Sequence, residues 1–219
     1  RNAGLDCQIL NFGVFGKSAV PELEHFKITP VLSTWEQLGA LEECLNAPIN
    51  VHLKFDTGMH RLGFDLQDAE ELAEHFATSK KLRLVGICTH LMSGHDLGDP
   101  QGISEKQLSL FQKALAHFSK WKPIVHALNS AGTINACPVA ADGDARYLSL
   151  GSRPGISLYG LRSTLQFPDL NLRPALTFRT EVVRWLNVPA GETVSYDGTW
   201  KAPGPAIVGV LPIGYADGY

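Results

Sequence analysis

Short apolar runs alternate along the first two thirds of the chain with longer stretches whose apolar residues fall on one helical face. Ile9 to Gly13 reads as a short buried strand, and a helix follows from about Ser18 to Phe26. Ile28 to Ser33 is the next strand. Thr34 then opens a helix with Gln37 at the capping-box position, and Leu38 and Leu41 face inward. Asn50 to Phe55 carries apolar residues at Val51, Leu53 and Phe55, and Asp56-Thr57-Gly58 supplies the turn that ends it. A helix from about Leu66 to Thr78 gathers Leu66, Ala69, Leu72, Ala73 and Phe76 on one side. Leu84 to Leu91 is a strand, Ser104 to Trp121 a long amphipathic helix, and Ile124 to Leu128 another strand. A short helix begins at Thr133 to Ala136, and Tyr147 to Leu150 leads a last strand into Arg153-Pro154-Gly155.

Repeated alternation of apolar strands with helices predicts parallel strands with helices outside, in either a closed barrel or a doubly wound sheet. The barrel fits better. Lys54, His90, Ser130 and Arg153 each stand at a strand's carboxyl end, and a barrel brings such ends to one mouth, where ligands bind. The fold class is therefore α/β, a partial TIM-type (β/α)8 barrel. From about Leu176 the pattern changes, with strand-like runs at Thr177 to Val188 and Ala206 to Tyr215 and no helix between them. The start of a mainly antiparallel β domain is predicted, with domains at 1–166 and 167–219. A barrel of this type is incomplete here and the chain stops just after a turn. We therefore expect an internal piece of a longer protein, lacking at least one strand-helix unit before Arg1.

Composition narrows the function classes. The 219 residues are 44% hydrophobic and 19% charged, ordinary for a globular chain. A net charge of −3 offers no basic field for nucleic acid, and no apolar stretch has the length of a membrane span. Cys7, Cys44, Cys88 and Cys137 lie far apart without the paired spacing of zinc or thiol-exchange motifs, which makes the cytosol the default compartment. Gly16-Lys17-Ser18 imitates the end of a P-loop. Asn11 stands where that motif requires glycine, so the motif is rejected.

Lys54 at a strand end and Arg61 on the following loop suggest an anionic or phenolic ligand, a solvated surface pair being the other reading. Ser130 offers a hydroxyl, and Gly155 and Ile156 offer backbone N–H groups, in late loops where barrels bind phosphate; turn formation alone would also explain them. His90 and His126 on buried strands read otherwise as core histidines. His90, His95 and Asp99 could ligate a metal, but the sequence offers no evident fourth ligand and loop histidines and aspartates are ordinarily solvated.

The stretch VHLKFDTGMHRLGFD at Val51 to Asp65 resembles the central signature of the alanine racemases, pyridoxal-phosphate enzymes that interconvert L- and D-alanine. The resemblance continues in the family's order. It runs through His90-Leu91, His126 with Asn129-Ser130-Ala131, Arg153-Pro154-Gly155-Ile156-Ser157-Leu158-Tyr159-Gly160-Leu161, Val194-Ser195-Tyr196 and Gly214-Tyr215-Ala216-Asp217-Gly218. It implies that Ser130, Gly155 and Ile156 contact the cofactor phosphate. It also implies that Arg153 meets the ring nitrogen, with His90 and His126 behind it in a hydrogen-bonded chain. Arg61 would contact the cofactor phenolate and the substrate carboxylate, and Lys54 is a candidate for carbamylation. Tyr215 would be the base acting on L-alanine, delivered from the second subunit of a homodimer. The lysine that holds the cofactor belongs to the family's first strand and has no counterpart here; Lys17 and Lys54 occupy other motifs. A racemase for serine, lysine or another amino acid, a noncatalytic pyridoxal-phosphate carrier and a decarboxylase of similar architecture are the rival readings.

Overall fold

The computed structural model describes residues 4, 6–141, 147, 149–163 and 170–218, the side chains of 137–141 excepted. The chain divides into two compact units, Arg1–Arg173 and Pro174–Tyr219. The predicted boundary between 166 and 167 lies outside the described residues.

The first unit alternates strand and helix: β1 (Leu10–Asn11), α1 (Val20–His25), β2 (Thr29–Leu32), α2 (Trp35–Cys44), β3 (Ile49–Lys54), α3 (Ala69–Thr78), β4 (Leu82–Cys88), α4 (Ile103–Ala116), β5 (Ile124–Leu128), α5 (Ser130–Ala141) and β6 (Gly151–Ser152). Among the described residues these six strands form one parallel sheet in sequential order. A doubly wound sheet reverses its strand order at a switch point, and this sheet does not, so it is the partial barrel that the alternation predicts. Val51, Leu53 and Phe55 pack with Leu72, Phe111 and Phe118 on the helix side. Side chains alternate across a strand, so His52 and Lys54 face the barrel axis. That alternation positions the site.

Several elements differ from their predicted bounds, each for a local reason. Thr34 caps α2 by accepting the Gln37 N–H at 3.3 Å, but the Gln37 carboxamide reaches Ser33 instead of completing the box, accepting from its N–H at 3.0 Å and its hydroxyl at 2.9 Å. The predicted helix to Trp121 stops at Ala116. There the buried Phe118 turns inward against Phe55 and Trp121, and a 3₁₀ turn at Ser119–Trp121 follows. α5 starts three residues earlier than predicted because Asn129 caps it, its Oδ1 accepting from Gly132 N–H at 2.9 Å. β1 keeps only two residues and is half-buried.

In the second unit, β7 (Arg184–Val188) pairs antiparallel with β10 (Ala206–Val210), and β8 (Thr193–Val194) with β9 (Trp200–Lys201). The strand-like run from Thr177 pairs only from Val183 onward, because its partner ends at Val210 and Pro212 has no N–H for a ladder. Among the described residues no helix is long and apolar enough to cross a membrane.

Candidate active site at the strand ends

Lys54 ends β3. It is buried, at 5% exposure, and its Nζ donates to the Leu62 carbonyl. Burial lowers its pKa, the Arg61 and Arg153 cations lower it further, and the nearby Cys88 and Asp56 act in the opposite direction. The loop after it is closed at its base by Phe64 N–H to Lys54 O (2.8 Å) and Asp56 N–H to Phe64 O (3.0 Å). Within the loop the Asp56 carboxylate accepts from the N–H groups of Gly58, His60 and Arg61 at 2.8, 3.1 and 3.0 Å. Burial tends to raise the Asp56 carboxyl, yet these N–H groups and Lys54 bring it below its ordinary value. Gly63 sits at φ +141°, and a Cβ there would stand 2.4 Å from Asp56 N, so the closure requires glycine. The backbone of Arg61 is thereby fixed while its side chain is exposed.

Arg153 follows β6, and its N–H donates to Leu128 O at 2.7 Å. Its guanidinium is gripped on two edges. Nη1 lies 2.6 Å from His126 Nδ1, and Nη2 donates to Thr89 O at 2.7 Å and lies 3.5 Å from His90 Nδ1. The Phe12 ring lies 5.5 Å from its central carbon. Burial makes the guanidinium less basic than usual, although it remains a cation. His126 continues to a third group, His52 on β3, whose Nδ1 is 2.7 Å from His126 Nε2. The chain behind Arg153 is therefore His126 and then His52. His90, expected behind Arg153 with His126, flanks the guanidinium because it lies two residues past the end of β4. Burial first and Arg153 second push His126 to about 3, and His52 and His90 each to about 4, so all three rings are neutral near pH 7.

Ser130 opens α5, and its hydroxyl accepts from Gly155 N–H at 2.9 Å and Ser157 N–H at 3.4 Å. A cavity of about 300 Å³ is lined by His90, Asn129, Ser130, Arg153, Gly155 and Ile156 among others. The structure thus brings together most of the predicted residues at one mouth. A larger space of about 590 Å³ lies at the amino end of β5, lined by Leu108, Phe111, Leu115, Ile124 and Tyr147, and among the described residues none of its lining side chains is charged. Tyr215 belongs to the second unit, in a 3₁₀ turn at Tyr215–Asp217, and is 98% exposed. The turn is held by Asp217 accepting the Gly214 N–H at 3.0 Å. Lys17 pairs on the surface with Glu43. His95 contacts Ser93, Asp99 accepts from Gln101 N–H, and no group of three metal-ligating side chains occurs among the described residues.

Sequence reasoning missed His52 and Gln107. The buried Gln107 of α4 donates to Thr57 Oγ1 (3.2 Å) and His90 O (3.1 Å) and accepts the Met92 N–H (2.8 Å), and Thr57 contacts Thr89 at 2.7 Å. It pins the loop that carries His90. A polar position inside the amphipathic pattern of α4 was the available signal.

Residues 1–163 match the family model of the alanine racemase N-terminal domain, and residues 175–219 that of the alanine racemase C-terminal domain. The chain is 35% identical over 216 residues to an alanine racemase of Borreliella burgdorferi strain ZS7, covering 96% of this chain and 56% of that protein. It is also 35% identical over 228 residues to an alanine racemase of Carboxydothermus hydrogenoformans, covering 100% and 59%. The biosynthetic alanine racemase of Pseudomonas aeruginosa, solved by crystallography, superposes with a TM-score of 0.80 at 30% identity, again over 100% of this chain and 59% of that one. The chain spans somewhat more than half the length of the relatives it matches. On the two domain matches, which leave few residues uncovered, this chain belongs to the alanine racemase family.

Proposed function

We propose that the full-length protein interconverts L- and D-alanine with pyridoxal 5′-phosphate and supplies D-alanine for peptidoglycan. The observation that carries this reading is the guanidinium of Arg153, half-buried and gripped on two edges beside a cavity that also holds the Ser130–Gly155 cradle. The donor set fits the cofactor. The cradle offers a hydroxyl and backbone N–H groups at a helix start, and among the described residues the Ser157 hydroxyl in the same turn is buried without a partner and a Cβ at Gly155 would meet nothing within 4 Å.

Pyridoxal phosphate supplies the electron sink that lets an amino acid give up its α-proton. Ser130, Gly155 and Ile156 would hold the phosphate. Arg153 would meet the ring nitrogen as a permanent cation and keep it unprotonated, which would limit the charge the ring accepts and the side reactions that follow. His90 stands beside it. Arg61 would hold the ring oxygen and the substrate carboxylate, and Lys54, if carried as a carbamate, would give Arg61 an anionic neighbour. Tyr215 takes the α-proton from L-alanine, and its exposed phenol suits delivery from the second molecule of a homodimer. The reading includes a cofactor-binding barrel over 1–166, a β domain from 167 and a cytosolic location.

The test is chiral chromatography of alanine after incubation with full-length protein and pyridoxal phosphate, with serine and lysine as comparison substrates. L-alanine and D-alanine are each expected to converge on equal amounts of both enantiomers. Faster conversion of serine or lysine, release of carbon dioxide, or no change in either enantiomer would overturn the reading.

A further inference from the structure

The buried His52 on β3 and His126 on β5 and the half-buried Arg153 after β6 form a hydrogen-bonded relay beneath the mouth, and its direction follows from elementary chemistry. A guanidinium has N–H donors and no acceptor, so its 2.6 Å contact requires a lone pair on His126 Nδ1. A neutral His126 then carries its proton on Nε2. The 2.7 Å contact from Nε2 in turn requires a lone pair on His52 Nδ1, which leaves the His52 proton on its own Nε2. Either ring as an imidazolium would set donor against donor.

Glycine makes the relay possible. His52 on β3 and His126 on β5 are separated by β4, where Gly86 pairs with His52. A Cβ on Gly86 would stand 2.1 Å from His52 Cε1 and 2.2 Å from His52 Nδ1. On the far side Gly151 pairs with His126, and a Cβ there would stand 2.8 Å from His126 Cβ. Two strands present no side chain at the places where the two rings meet.

We propose that His52 is a positioning residue: by accepting the Nε2–H of His126 it fixes that ring's tautomer and so holds Arg153 aimed into the mouth. Without that acceptor the His126 proton can move to Nδ1, where it would oppose an Arg153 N–H and release one edge of the guanidinium. The consequence for turnover rests on the reading of Arg153 as the partner of the cofactor ring nitrogen. The relay itself is a property of the protein without cofactor.

The experiment uses full-length protein labelled with ¹⁵N-histidine, free of cofactor, at pH 7. Ring ¹⁵N spectra are expected to show His52 and His126 both neutral, with the proton on Nε2. In His52→Leu the His126 ring is expected to become a mixture of tautomers, and kcat of the loaded enzyme to fall about tenfold or more. In His52→Asn, whose Oδ1 takes the place of Nδ1 as acceptor, the single tautomer is expected to return and kcat to recover to within about threefold of wild type. Three results would each overturn the proposal: an Nδ1–H tautomer or an imidazolium at either ring in the wild type, an unchanged His126 in His52→Leu, or His52→Asn as impaired as His52→Leu. The wild-type spectra need no variant to fold. Because they are read without cofactor or substrate, they decide the relay even if the protein racemises nothing.

Discussion

Replacing Gly86 by alanine tests how the barrel interior makes room for its polar relay. Gly86 is not among the glycines with positive φ, so the backbone there accepts alanine without strain. Such a replacement ordinarily stabilises a protein by about 0.4–1 kcal/mol by restricting the unfolded chain. Here the new methyl would lie 2.1 Å from His52 Cε1, and the ring must move. Overpacking of that kind costs about 1–3 kcal/mol. Displacing His52 also leaves the His126 Nε2–H buried without a partner, for about 1–3 kcal/mol more. The expected net loss is about 1–6 kcal/mol, read as a fall in Tm of about 2–4 °C per kcal/mol for a domain of about 150–250 residues. Scanning calorimetry of the full-length protein without cofactor would measure it, alongside Gly86→Ala/His52→Ala, in which the obstructed ring is gone. The double variant is expected to recover the overpacking part and not the lost hydrogen bond. A Tm for Gly86→Ala at or above wild type, or losses that simply add in the double variant, would refute the packing described.

Three further outcomes are expected. His52 and His126 have folded-state values of about 4 and about 3 against an ordinary 6.5, so the unfolded chain binds more protons in the acid range. Their contribution is complete above pH 6.5 and is lost as pH falls toward about 4 for His52 and about 3 for His126, at up to about 1.4 kcal/mol per pH unit for each ring. Urea midpoints at pH 7 and pH 5 should show it, and His52→Leu should show a smaller drop than wild type. Tyr215→Phe should slow α-proton removal from L-alanine far more than from D-alanine, measured by exchange in deuterated water; equal loss in both directions would remove Tyr215 from the role of base. Burial favours the neutral, nucleophilic form of the Lys54 amine, so ¹³C-bicarbonate should give a carbamate resonance in the wild type that disappears in Lys54→Ala, and a wild type without it would leave Arg61 to another holder.

The parallel half-barrel was legible because its strands are buried on both faces and its helices carry one apolar stripe, patterns visible at Val51, Leu53 and Phe55 and at Leu72 and Phe76. The convergence of Lys54, His90, Ser130 and Arg153 followed from their places at strand ends. His52 was not legible. It occupies the polar position of an alternating strand, and only a closing sheet makes that face interior. The opening at Gly86 that lets it reach His126 depends on register between strands, which no local pattern records. The same limit hid Gln107, whose three contacts lie on separate elements. The start of α5 was readable from Asn129 as a cap, but the Gly132-Thr133 pair weakened the helical signal there.

The most direct test of the role assigned to Arg153 is the ¹⁵N resonance of the ring nitrogen in labelled pyridoxal phosphate bound to the full-length protein. A permanent cation donating to that atom should give the shift of an unprotonated, hydrogen-bonded nitrogen that stays constant from pH 6 to pH 9. A pyridinium shift in the wild type would contradict it.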